Sequence, residues 1–270
     1  MKIFDCFIYF DEDLLLDLRF NILNNIVNYF VVVESNRTWQ NNIKKFNFNI
    51  EKFKKFSNKI IYVKVEDMPE GENPWLRENF QRNCITRGLL KANSEDLIII
   101  SDADEIPDPK KIINFNLKKK YGVFEQRQFY YKLNLFNESN PVWRGSKACI
   151  KRYLKSPQWL RELKIKKRPF WRLDKINLNY TIENGGWHFC NLKTPDQLLF
   201  KYKNLCEFRD NYVFFNSINK RFLNKKTIEE NIKNQKDIIG RNDVYKRQDI
   251  DSSYPKYILD NINIYQNWII

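Results

Sequence analysis

The stretch "EDLIIISDADEIPDP", residues 95–109, decides how the rest of the chain is read. Four apolar residues, Leu97 to Ile100, run straight into Asp102, Asp104, Glu105 and Asp108. A short apolar run bounded by turn residues reads as a buried strand. Acids gathered at its carboxyl end stand where open parallel sheets bind ligands. The chain as a whole has a formal net charge of +14, so this cluster runs against the overall charge. If extended geometry continues past the strand, the spacing of two puts Asp102 and Asp104 on one side. Two carboxylates forced together repel unless a cation lies between them. Hard oxygen donors suit Mg²⁺ or Mn²⁺, which also bridge nucleotide phosphates. The plainer alternative is a polar turn in which Asp108 caps the next helix.

Outward from this point the elements alternate. "KIFDCFIYF" reads as a first strand, followed by a helix in "DEDLLLDLRFNIL" whose apolar face is Leu14, Leu15, Leu18 and Ile22. "YFVVVES" and "KIIYVKVED" read as the second and third strands. "NPWLRENFQRNCITRGLL" reads as a helix with Leu76, Phe80, Cys84 and Leu89 on its apolar face, and "PDPKKIINFNLKKK" opens another. Strands alternating with helices predict βαβ units, an α/β class and a mostly parallel sheet. After residue 121 the pattern changes to a long strand, "YGVFEQRQFYYKLNLF", Trp-rich irregular segments and then helices. No Pro/Gly/Ser linker divides the halves. One domain, 1–270, is therefore expected, with a nucleotide-binding half (1–120) and an acceptor-side, partly helical half (121–270). Neither GxxxxGK[ST] nor GxGxxG occurs, which argues against P-loop and dinucleotide sites.

Composition narrows the class. With 270 residues, 43% apolar and 16% aromatic, the chain has material for a substantial core. Its five cysteines are odd in number and widely spaced without a CxxC, so free buried thiols and a reducing cytoplasm are expected. Neither a signal-peptide pattern nor an apolar run of about 20 residues is present, so a soluble or at most peripheral protein is expected. From Lys147 to Lys175 there are eleven Lys and Arg against Glu162 and Asp174, interleaved with Tyr153, Trp159, Phe170 and Trp171. Without a sequence-reading motif this stretch reads as a solvated face or as contact with an anionic membrane or acceptor, and not with a specific nucleic acid.

"FDEDLLLDLRFNIL", "FVVVESNRTW", "DLIIISDADEIPDP", "GGWHF" and "YPKYILDN", in that order, resemble glycosyltransferase family 17. That family contains the β-1,4-mannosyl-glycoprotein N-acetylglucosaminyltransferases, and the matching stretches span most of the chain. The resemblance implies a GT-A-like, Rossmann-type fold and a nucleotide-sugar donor, a UDP-sugar first. It also implies a metal, Mn²⁺ or Mg²⁺, held by Asp102 and Asp104. The sole histidine, His188, would complete the metal shell, as a late histidine does in GT-A enzymes. The animal members carry an N-terminal membrane anchor, whereas this chain opens on a strand. A cytoplasmic enzyme acting on a glycan or lipid-linked glycan in surface polysaccharide or glycolipid synthesis is therefore expected.

Around this frame the other site residues are assigned. Gly185 and Gly186 permit close backbone approach to a ligand, and Trp187 offers a sugar-stacking face. Glu34, at the end of "VVVES", is placed toward a ribose or base. Arg19 and Arg82 are candidates for phosphate contact, although Glu78 one turn before Arg82 offers an ordinary i,i+4 pair. An inverting transfer needs a carboxylate to take the acceptor proton. Asp196 and, behind it, Glu183 are the candidates, with Thr194-Pro195-Asp196 equally legible as a helix start. Two rivals remain: a metal-dependent phosphotransferase or phosphohydrolase, and a non-catalytic nucleic-acid-binding protein.

Overall fold

The computed structural model describes residues 1–164, 180–205, 224–238 and 240–270. β1 (Ile3–Ile8), β2 (Tyr29–Ser35), β3 (Ile60–Val65) and β4 (Leu97–Asp102) form a wholly parallel unit in the order β3-β2-β1-β4. Register aligns their carboxyl ends: Ile8 of β1 lies opposite Val33 of β2 and opposite Asp102 of β4. The cluster at the end of "LIIIS" is thus at the mouth of the sheet.

Beyond β4 the sheet becomes mixed. β9 (Lys147–Ile150) pairs antiparallel with β4 and with β6 (Tyr121–Tyr130), and β6 then pairs in parallel with β10 (Thr181–Cys190). Short β5 (Glu105–Pro107) lies antiparallel on β10, β7 (Leu135–Asn137) and β8 (Val142–Trp143) pair with β6, and β11 (Tyr245–Arg247) extends β7. One sheet therefore carries strands from both halves of the chain.

Helices cover both faces. α1 (Asp13–Leu23) lies over a core containing Phe7, Phe20, Phe30 and Ile99. α2 (Pro74–Asn83) and α3 (Ile85–Gly88) lie over a second core containing Phe4, Val31, Val33 and Ile98. Alternation on β1 gives each face its share: Ile3 and Phe7 join the first core, Phe4, Cys6 and Ile8 the second. Then come α4 (Pro109–Ile113), α5 (Pro157–Glu162), α6 (Pro195–Asn204), α7 (Lys225–Lys233) and α8 (Lys256–Asp260).

The expected helix faces hold in part: Cys84 and Leu89, flanking α3, are buried in the second core and Phe80 packs against it. On α1, Leu15 and Leu18 are buried as expected, but Leu16, Arg19, Phe20 and Leu23 complete the buried side while Leu14 and Ile22 are half-buried. On α2, Leu76 is 57% exposed, and the helix buries Pro74, Arg77, Gln81 and Arg82 instead. Polar side chains face inward there because they meet groups from the mouth of the sheet: Gln81 accepts from Trp39 Nε1 at 2.8 Å, and Arg77 donates to the Trp39 carbonyl at 2.6 Å. Cys6, Cys84, Cys149 and Cys190 are free thiols, as expected; Cys206 lies outside the described residues.

Candidate active site

A cavity of about 210 Å³ opens at the carboxyl ends of β1, β2 and β4. Its lining combines the aromatic side chains of Tyr9, Phe10, Trp39 and Trp75 with the charged ones of Glu12, Arg82, Asp102, Asp104 and Lys201. Phe10 is fixed by stacking on Phe200 of α6, with ring centroids 5.5 Å apart.

At the end of β4 the chain turns at residues 103–104 instead of staying extended, so the two acids part company. Asp102 accepts from Arg82 Nη2 at 3.1 Å on one oxygen and from Arg161 Nη2 at 2.6 Å on the other. Burial alone would raise its carboxyl, but the charges of Arg161 and Arg82 outweigh that and hold it below the usual range. Arg82 and Arg161 thus each bond one oxygen of Asp102, and each oxygen keeps a further lone pair. Arg161 also grips Glu105 at 2.6 and 2.8 Å, and Glu105 accepts from Trp143 Nε1 at 2.6 Å.

Asp104 faces His188, whose Nε2 is 3.5 Å from Oδ1. The antiparallel register that sets His188 opposite Glu105 brings them together, and the Phe189 N–H donates to the Asp104 carbonyl. His188 is 5% exposed and stacks under Trp143 at 4.9 Å between centroids. Burial opposes charge on this ring, but Asp104 beside it pushes its pKa up to about 10. The Asp104 carboxyl is in turn held low, since His188, Lys201 and Arg161 outweigh the effect of burial. Cys190 adds a third donor, and the three donor atoms lie within 4.8 Å of one another. His188 Nδ1 is buried without a hydrogen-bond partner. The ring nitrogen that faces Asp104 is Nε2, and a carboxylate, an imidazole and a thiol gathered at one point fit a divalent cation. Lys201 donates to Asn191 Oδ1 at 3.0 Å and borders the cavity; burial opposes its charge, but Cys190 and Asp104 raise its pKa.

The remaining assignments fare differently. Arg82 lies on the cavity, shared between Asp102 and Glu78. Arg19 does not: it is fully buried, clamps Asp5 through two bonds of 2.6 Å, and donates to the carbonyls of Asp102 at 3.1 Å and Glu105 at 2.6 Å. Its work is to hold the acidic turn, with no surface left for phosphate. Glu34 is also fully buried, accepting from Lys44 Nζ, from the N–H groups of Asn47 and Phe48, and from Tyr62 Oη at 2.8 Å. It anchors the loop after β2 and cannot reach a ribose.

The "GGWH" segment is strand β10, not a loop. Gly185 and Gly186 serve strand packing instead of ligand approach. A Cβ on Gly186, whose φ is +135°, would lie 2.2 Å from the Ile106 carbonyl oxygen, and one on Gly185 would lie 2.7 Å from the Ile182 carbonyl oxygen. Trp187 is 7% exposed and donates to the Ser253 carbonyl at 3.0 Å, bordering a different cavity with Arg127 and Tyr254. Asp196 is the first-turn acid of α6, beside the Thr194–Gln197 capping box, and its 68% exposed carboxylate bonds Lys225 at 2.7 Å. Glu183 is exposed in the irregularity of β10 between Ile182 and Gly186. Neither acid borders the cavity. Of the basic stretch, Lys147 and Arg161 are turned inward and Arg152 pairs with Glu95; residues 165–179 lie outside the described residues.

Arg161, Cys190 and Lys201 were not among the site residues expected from the sequence, and Glu105 was marked only as one of the acids after β4. The only available signal was the His-Phe-Cys spacing, which puts His188 and Cys190 on one face of a strand.

A family model described as glycosyltransferase family 17 matches residues 1–250. The human and rat proteins named β-1,4-mannosyl-glycoprotein 4-β-N-acetylglucosaminyltransferase are each 24% identical over 214 residues, 69% of this chain. The chain matches 40% of the human protein's length and 39% of the rat protein's. Among solved structures, HddC from Yersinia pseudotuberculosis is 10% identical with a TM-score of 0.35, covering 70% of this chain and 90% of its own. Glucosyl-3-phosphoglycerate synthase from Mycobacterium tuberculosis, solved with Mn²⁺, uridine diphosphate and phosphoglyceric acid, is 14% identical with a TM-score of 0.26, covering 48% and 43%. Likenesses this distant assign no chemistry.

Proposed function

Since the chain belongs to glycosyltransferase family 17, we propose that it transfers a sugar from a nucleotide-sugar to a glycan acceptor, with a divalent metal on the donor diphosphate. The observation that carries this reading is the cavity itself. Asp104, beside His188, and the cation of Lys201 meet aromatic side chains at the mouth of a parallel sheet. Tyr9, Phe10, Trp39 and Trp75 suit a nucleobase and ribose. Lys201 and Arg82 suit the diphosphate, whose departure leaves negative charge for them and the metal to stabilise. Asp104 and His188 would hold the metal, which would supply Lewis-acid stabilisation of that leaving group.

In an inverting transfer the acceptor hydroxyl attacks the anomeric carbon as a carboxylate removes its proton. Among the described residues the cavity carboxylates are Glu12, Glu78, Asp102 and Asp104. Asp102 is shared by two guanidinium groups and Asp104 faces His188; Glu12, paired with Lys193, and Glu78, paired with Arg82, are the proposed bases. The relatives' names put N-acetylglucosamine first among sugars, and UDP first among carriers, to be tested. No described helix is long and apolar enough to cross a membrane. A two-metal phosphohydrolase is disfavoured by the single cluster of metal donors among the described residues.

The test is thermal stabilisation, since a ligand that binds only the folded state raises the melting temperature. UDP with Mn²⁺ should raise it, whereas UDP with a chelator, or Asp104→Asn with both, should give little change. Equal stabilisation by UDP in all three settings would overturn the metal-dependent reading.

A further inference from the structure

We propose that Cys190 ligates the same ion as Asp104 and His188, making an oxygen–nitrogen–sulfur centre that prefers divalent ions softer than Mg²⁺. This deepens the glycosyl-transfer reading and rests on its metal.

Four observations converge. First, β10 sends His188 and Cys190 to one face, while Phe189 between them enters the core on the other. Second, the donor atoms of Asp104, His188 and Cys190 lie within 4.8 Å of one another. At the tetrahedral angle one metal–sulfur and one metal–oxygen bond set their donors about 3.6 Å apart, so the donors would draw together by at most about 1.2 Å. Third, His188 is 5% exposed, and its Nε2 lies 3.5 Å from Asp104 Oδ1, so the imidazole presents a nitrogen to the carboxylate in a buried setting. Fourth, Arg82 and Arg161 each bond one oxygen of Asp102, whereas β10 turns His188 toward Asp104, so an ion at Asp104 meets donors from that strand. Cys6, Cys84 and Cys149 are buried in the second apolar core, and none belongs to this group.

The chemistry follows from the sulfur. Thiolate donors favour zinc and the later first-row ions, whereas Mg²⁺ demands an oxygen shell. Affinity should therefore rise from Mn²⁺ through Co²⁺ to Zn²⁺, with Mg²⁺ far behind.

Co²⁺ alone, titrated into the full chain after chelator treatment under reducing conditions, tests this without any turnover assay. The expected result is a near-ultraviolet thiolate-to-cobalt charge-transfer band that saturates at one ion per chain. Zn²⁺ should abolish it and excess Mg²⁺ should leave it unchanged. Cys190→Ser should lose the band and weaken Co²⁺ binding at least as much as loss of an outer-shell partner, about 10- to 100-fold. Cys84→Ser should keep both. Saturable Co²⁺ binding without the band, or a band that survives Cys190→Ser, would overturn the sulfur ligand and leave the Asp104–His188 site standing. No saturable binding to the wild-type chain would overturn both. The wild-type spectrum decides the matter even should Cys190→Ser not fold.

Discussion

Asp196 is 68% exposed and tied to Lys225, and Thr194 and Gln197 already complete the start of its helix. Asp196→Asn is therefore expected to keep near-wild-type transfer, UDP affinity and melting temperature; a loss of two orders of magnitude in turnover would restore it as the base. Glu12→Gln and Glu78→Gln make the opposite case. Loss of a general base lowers turnover by about 10²- to 10⁴-fold with donor affinity nearly intact. One of the two should behave that way, and unchanged kcat in both would exclude Glu12 and Glu78 as the base. Lys147 offers a test by pH. Burial and the nearby Arg161 lower its pKa to about 8, from an ordinary 10.5. Below pH 8 both folded and unfolded chains carry the proton, and the cost of a buried charge is fully present. Between pH 8 and 10.5 the unfolded chain binds more protons, so stability from this group rises with pH. Lys147→Met should stabilise the fold at pH 7, by at most about 3 kcal/mol, and the advantage should vanish above pH 10.5. Denaturant titrations at several pH values would measure this, and a gain that grows with pH would contradict it.

At the scale of elements, legibility followed periodicity. β2 was readable to the residue because "YFVVVES" is apolar throughout and bounded by turn formers. β10 was not, because Asn184, Gly185 and Gly186 interrupt its alternation and imitate a loop. Their physical role is visible only once β5 is packed against them. Gly186 adopts φ +135° and faces the Ile106 carbonyl oxygen too closely for any side chain. Gly186→Ala should therefore destabilise the fold, by more than the about 0.4–1 kcal/mol that a glycine replacement gains at a compatible position. It should also weaken Co²⁺ binding, because the β5–β10 register holds His188 beside Asp104. Wild-type melting and metal affinity in this variant would show that the register tolerates a Cβ. α2 failed for a related reason: its inward face is polar because it meets the ends of strands distant in sequence.

Across the whole molecule, the cavity draws on the ends of β1 and β4, on α2 and on α6, segments separated by up to a hundred residues or more. Local patterns announced the acids of β4, but whether an acid meets an arginine or a histidine depends on how α5 and β10 return to the sheet. Arg161 and Lys201 were unreadable for that reason. The same long-range assembly explains Arg19, which the sequence offered to phosphate and the fold spends inside. From α1 it clamps Asp5 of β1 and the carbonyls of Asp102, Ala103 and Glu105, with its guanidinium 4.5 Å from the Phe7 ring centroid. Removing one member of a buried pair leaves an uncompensated charge and costs about 3–5 kcal/mol, whereas replacing both by apolar residues is often neutral. Arg19→Met should accordingly lower stability by about that amount. Asp5→Leu combined with Arg19→Met should recover much of the loss, because no buried charge remains. The double variant still leaves three carbonyls of the acidic turn without their donor, so its Co²⁺ affinity should stay below that of the wild type. Recovery of stability and metal binding together would mean that Arg19 serves only Asp5. Recovery of stability alone would identify it as the residue that joins the core of the molecule to the shape of its metal centre.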